Sequence, residues 1–151
     1  MTQNDKVLYS MRYLTAGLII LGAIMHLIGL IIAFDGSSLP WGGLPHLSVL
    51  VRVLLCLFYL FAIVMYPVSA VMMLKGARWA YWLIAVAPSV GGLLIALGFI
   101  FPDSGLLMFL AGNFDKEITP VAFPQVITES IAVAYAALLI YYKAWRLGTV
   151  G

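Results

Sequence analysis

Three ionisable side chains stand inside long runs of apolar residues, where a chain of this kind seldom carries them: His26, Arg52 and Glu129. An imidazole and a carboxylate can exchange a proton, and a guanidinium can grip a polar head through paired hydrogen bonds. Together they could bind a polar group or move a proton beside an apolar substrate. Arg52 lies about five residues inside its run, or about 7–8 Å along a helix axis. Glu129 lies at a matching depth in another run, and His26 is deeper. A charge in hydrocarbon is costly unless it is paired or hydrated. Opposite charges at one depth are therefore expected to face each other, with His26 beneath them. Tyr59 shares a helical face with Arg52 and joins this candidate ligand-binding or polar cluster. Plainer roles remain open: Arg52 can snorkel to headgroups, Glu129 can reach water under a loop, and His26 can bond a nearby carbonyl.

Other chemistry finds little support. The second histidine, His46, precedes its apolar run, so a bis-histidine haem, which needs both rings at one depth, is disfavoured. No carboxylates or thiols gather near either histidine, so no metal site is expected. There is no P-loop, paired-cysteine redox motif or zincin helix, and Ser89 has no histidine–acid partners nearby in sequence. The single cysteine, Cys56, cannot form an intramolecular disulfide and reads as a packing residue. A net charge of +2 without a basic run argues against a nucleic-acid partner.

The elements that must position the cluster follow from composition. Apolar residues make up 64% of the chain and charged residues 9%, against about 45–50% and about 25% in soluble domains. A membrane-spanning helix needs about 20 apolar residues, and four stretches qualify: 11–34, 47–74, 78–101 and 124–145, each bounded to within about 2–4 residues. The first is too long for a cleavable signal core and reads as a retained span. Lys75-Gly76-Ala77-Arg78 allows only a helical hairpin. Pro67 and Pro88 fall inside the second and third stretches, where each should remove a helical hydrogen bond and introduce a kink. Gly105 to Asn113 reads as a short helix at the outer interface.

Small and polar residues, which distinguish the interior of a membrane bundle from its lipid face, form a stripe on each helix. These are Thr15, Gly22, His26, Gly29 and Ala33; then Arg52, Cys56, Tyr59, Tyr66 and Ser69; then Ala85, Ser89, Gly92 and Ala96. The fourth helix shows Gln125, Thr128, Glu129, Ala132, Tyr135 and Ala136. An all-α, polytopic, antiparallel four-helix transmembrane bundle is the expected fold, forming a single domain over residues 1–151. Six of the eight Lys and Arg fall on one side: Lys6, Arg12, Lys75, Arg78, Lys143 and Arg146. That side is expected to be cytoplasmic, with both termini, in a multi-pass protein of the cell membrane. Tyr9, Tyr13, Trp79, Tyr81, Trp82, Tyr141, Tyr142 and Trp145 mark the same interface.

The layout of Gly22-Ala23-Ile24-Met25-His26, a Pro/Gly-rich outer loop, Met72-Met73-Leu74-Lys75-Gly76-Ala77-Arg78-Trp79 and a last helix opening after Pro124 resembles the DoxX-like four-helix membrane proteins. The resemblance covers about residues 11–146 and implies a compact bundle, in some members linked to quinone-dependent redox or sulfur metabolism. It carries over no catalytic residue, and the Arg52–Glu129 pair is not among its features. The expected function is binding of a lipid, quinone or partner helix in the outer half of the bundle, as a homo-oligomer or an accessory subunit of a larger membrane complex. The alternatives are an intramembrane enzyme or redox protein acting through His26, Arg52 and Glu129, and an oligomeric transporter or channel.

Overall fold

A computed structural model describes residues 3–34, 49–100 and 119–147, with side chains at 29, 32–34, 49–56, 91–100 and 119–123 excepted. Among the described residues there are four α-helices: α1 (Gln3–Phe34), α2 (Val49–Leu74), α3 (Arg78–Ile100) and α4 (Thr119–Tyr141). A 3₁₀ turn, Ala144–Leu147, follows α4. Three of the helices hold a stretch long and apolar enough to cross a membrane, within Gln3–Ile28, Leu57–Leu74 and Pro124–Tyr141. The short outer helix expected over 105–113 lies outside the described residues, as does His46.

Two helices start earlier than their apolar stretches. The first continues back to Gln3, because polar residues such as Asn4, Asp5 and Lys6 are compatible with helix and Asp5 sits favourably in the first turn. At 32 residues α1 is about 48 Å long, more than the about 30 Å of a hydrocarbon core. The fourth begins at Thr119 rather than 124, with Pro120 in its first turn, where the missing N–H costs least, and Pro124 inside. Pro67 and Pro88 likewise stand within unbroken helical assignments. Next to Pro67, the Ser69 hydroxyl donates to the Tyr66 carbonyl at 2.8 Å, so that buried hydroxyl satisfies itself on its own helix.

α1 packs on α2 and α4, and α3 packs on α4 and α2. Alanines fill much of the shared interior: Ala16 and Ala23 on α1, Ala62 and Ala70 on α2, Ala132 and Ala136 on α4. Small side chains at helical spacing let backbones approach where bulk apolarity cannot distinguish neighbour from lipid. The outward faces carry large apolar groups, among them Leu14, Ile24, Ile31, Val64 and Val86. On α3, Ala85 of the expected stripe is partly buried against the core, and the side-chain positions of Gly92 and Ala96 lie outside the described residues. Tyr81, Ile84 and Pro88 are buried, whereas Ser89 is exposed and donates to the carbonyl of Ala85 at 2.6 Å. The larger side chains occupy the interior, and the serine needs no partner on another helix.

One end of the molecule is fastened by polar contacts. α2 closes in a Schellman turn: Ala77 N–H donates to Met72 O at 2.9 Å and Gly76 N–H to Met73 O at 3.0 Å. Gly76 takes a φ of 81°, a left-handed conformation that suits glycine. Arg12, with no exposed surface, reaches across from α1, and its Nη2 donates to Met73 O at 2.7 Å and Leu74 O at 2.8 Å. The Tyr81 hydroxyl donates to Met73 O as well, at 3.2 Å. The last carbonyls of a helix lack internal partners and carry partial negative charge, so a buried cation here answers both deficits.

Rings extend the arrangement on both sides. The Arg12 guanidinium lies 5.5 Å from the Tyr9 ring centre and 5.9 Å from that of Tyr81. Tyr81 meets Trp145 edge-on at 5.9 Å, and the Arg78 guanidinium lies 5.2 Å from the Trp145 ring. The Tyr9 hydroxyl donates to Leu147 O at 2.7 Å. Cations and rings thus bind the start of α1, the hairpin between α2 and α3, and the turn after α4 into one ladder.

Candidate functional site

Further along α1, Gly22 and His26 sit one helical turn apart and face α2 and α4. The imidazole is 2% exposed. Its Nδ1 lies 2.9 Å from the Gly22 carbonyl, which can only accept, so Nδ1 carries the proton. The Nε2 lone pair then faces Gln125, whose side-chain nitrogen donates to it at 3.2 Å. Gln125 also hydrogen-bonds the carboxylate of Glu129, one turn along α4. The ring closes where Glu129 Oε1 stands 3.3 Å from His26 Nδ1. Because the N–H is directed at Gly22, Oε1 accepts no well-formed hydrogen bond among the described residues.

Three rings of α2 wall the imidazole. Tyr59 and Tyr66 meet it edge-on at 5.3 and 5.5 Å, and Phe58 is tilted against it at 6.1 Å. The Glu129 side chain approaches the backbone of Gly22 closely. A Cβ there would touch Glu129 Cγ and Oε1 at 3.4 Å and Tyr66 Cδ2 at 3.7 Å. The site is therefore a three-member polar ring from two helices, set in an aromatic cup from a third. Hydrogen bonds formed in such low-dielectric surroundings are strong, and their unmet valences are correspondingly expensive.

Of the residues nominated from sequence, His26, Tyr59 and Glu129 are brought together here. Arg52 belongs to α2, but its side chain lies outside the described residues, and so does any contact it makes with Glu129. Sequence reasoning passed over two participants. Gln125 and Tyr66 stood on the right stripes but carry no charge, so depth-matching of charges could not select them. Their signal was spacing: Gln125 is one turn before Glu129. Arg12 was taken as a flanking charge, whereas it is a buried ligand of two carbonyls. Among the described residues, no three His, Cys, Asp or Glu side chains gather in a way that could hold a metal ion.

The geometry allows two kinds of chemistry. An imidazole and a carboxylate at 3.3 Å are within reach of proton exchange. A polar ring under apolar walls is also the usual form of a binding site for an amphiphile. Comparison with known proteins brings no relative to bear on this choice: no family model, no curated protein and no solved structure matches the chain.

Proposed function

We propose that this is a four-span protein of the cell membrane, an antiparallel bundle with both termini cytoplasmic. In our reading it binds an apolar molecule with a polar head, a lipid or a quinone, against the His26–Gln125–Glu129 ring. Support for the membrane arrangement comes from three sufficiently long apolar helices and from the polar ladder that ties the ends of all four together. The basic residues at that same end favour the cytoplasmic side. The observation that carries the binding reading is the placement of a hydrogen-bonded polar ring directly against Phe58, Tyr59 and Tyr66. The DoxX-like layout adds quinones to the candidate ligands.

Mass spectrometry of organic extracts tests the proposal on protein purified in mild detergent. A near-stoichiometric lipid or quinone is expected with the wild type and should be depleted in Gln125→Leu at unchanged helix content. Protein that retains no such species, or a variant that retains it fully, overturns the reading. Recovery of a tightly associated polypeptide instead would favour a partner helix and an accessory-subunit role.

The close approach of His26 and Glu129 favours a second reading, an intramembrane enzyme or redox protein in which this pair exchanges a proton with substrate. Its mark would be a Glu129→Gln variant that keeps its ligand and its fold but loses turnover.

A further inference from the structure

At the fastened end, one cation is prepared differently from the others. Arg78 is exposed, yet its guanidinium is held over the Trp145 ring at 5.2 Å. Trp145 is itself held edge-on by buried Tyr81. Cation–π attraction to the ring uses none of the guanidinium's N–H donors, so its fork remains suited to two oxygens of a phosphate. The same attraction favours this placement of the side chain and reduces the freedom lost on binding. Lys75 is exposed on the same hairpin, and Arg146 follows Trp145 directly and is exposed as well. Trp79 and Trp82 expose their rings on the first turns of α3, and Tyr141 and Tyr142, packed edge to face at 5.1 Å, do so at the end of α4. Amphipathic rings of this kind settle at headgroup level.

We propose that Arg78, seated on Trp145, is the principal contact for the phosphate of an anionic phospholipid in the leaflet that meets the α2–α3 hairpin. Lys75 and Arg146 supply flanking charge. The surface is positively charged, rimmed with headgroup-seeking aromatics and pre-organised at one fork, which suits an anionic lipid better than a zwitterionic one. This inference rests on the membrane reading above but not on the His26 site, so the two can fail separately.

The test is native mass spectrometry of the full chain titrated with phosphatidylglycerol and, separately, phosphatidylcholine of the same acyl chains. Wild type should bind the anionic lipid several times more tightly. Arg78→Gln should reduce that preference by more than the factor of about five that one basic residue contributes at an anionic surface. Arg78→Lys keeps the charge but loses the fork and should restore only a minor part. Lys75→Gln and Arg146→Gln, made singly, should each lose less than Arg78→Gln does. All three substituted side chains are exposed, so folding is expected to survive, and far-UV circular dichroism checks it. Equal binding of both lipids by wild type, or full preference in Arg78→Gln, overturns the proposal. So does full rescue by Arg78→Lys, which would mean diffuse charge rather than a seat. If inorganic phosphate displaces the lipid at equal concentration, the site reads phosphate alone and the lipid assignment falls.

Discussion

Replacing Arg12 separates a structural cation from an orienting one. In Arg12→Met, two charge-assisted hydrogen bonds to Met73 O and Leu74 O are lost, and bonds of this kind contribute about 1.5–3 kcal/mol each. The Met73 carbonyl keeps Gly76 N–H and the Tyr81 hydroxyl as donors, so the loss falls more heavily on the Leu74 carbonyl. The methionine stem still packs between Tyr9 and Tyr81 and recovers part of the contact. The net loss expected is about 3–4 kcal/mol, below the full sum of two such bonds. Arg12→Lys retains the charge that would orient the chain but not the planar group between two rings, and should cost about 1–2 kcal/mol. Unfolding by SDS of the detergent-solubilised protein, followed by circular dichroism, measures both variants. A fused reporter at the C-terminus shows whether orientation has changed. If Arg12 served only as a flanking charge, Arg12→Lys would match wild type and Arg12→Met would disturb orientation rather than stability. That pattern would refute the reasoning.

Four further substitutions at three positions probe the rest of the framework. Gln125→Leu removes the donor to both His26 and Glu129 and should destabilise by about 1–3 kcal/mol in the same unfolding assay; a neutral result would mean the polar ring contributes nothing. Gly76→Ala forces a Cβ onto a backbone at φ 81° and should cost about 1–2 kcal/mol, seen as a lower melting temperature. At Gly22, alanine should be tolerated within about 1 kcal/mol, since its contacts are ordinary and its helix propensity is better. Gly22→Leu should instead push Glu129 away and lower stability by about 1–3 kcal/mol; similar stabilities for the two variants would contradict the close approach of α1 and α4.

What could be read from the sequence was local or periodic. The hairpin at Lys75–Arg78 announced itself through Gly76 between two long apolar runs, and Ala132 and Ala136 stood on the expected stripe of α4, whereas Ala16 and Ala23 of α1 and Ala62 and Ala70 of α2 lay outside the stripes. His26 and Glu129 could be nominated together because both are polar at depth, although the sequence set Glu129 opposite Arg52 with His26 beneath the pair. The role of Arg12 was not legible, because its acceptors are carbonyls on α2, and main-chain acceptors leave no mark in residue types. Ser89 of α3 is exposed for a related reason: small residues permit burial but do not require it, and Tyr81 and Ile84 take the interior beside Ala85. Helix starts at Gln3 and Thr119 were missed because helices extend past the apolar stretches that reveal them.

The ladder from Tyr9 through Arg12 and Tyr81 to Trp145 and Arg78 also decides how the helices can part. With one end clasped, admitting a bulky guest requires the helices to splay about that clasp, as the arms of tweezers spread about their joint. His26 lies fourteen residues beyond Arg12 on α1, a lever arm of about 21 Å. A splay of about 5° then opens about 2 Å at the imidazole and almost nothing at the clasp. Such a splay displaces the polar ring while the clasped residues stay in place.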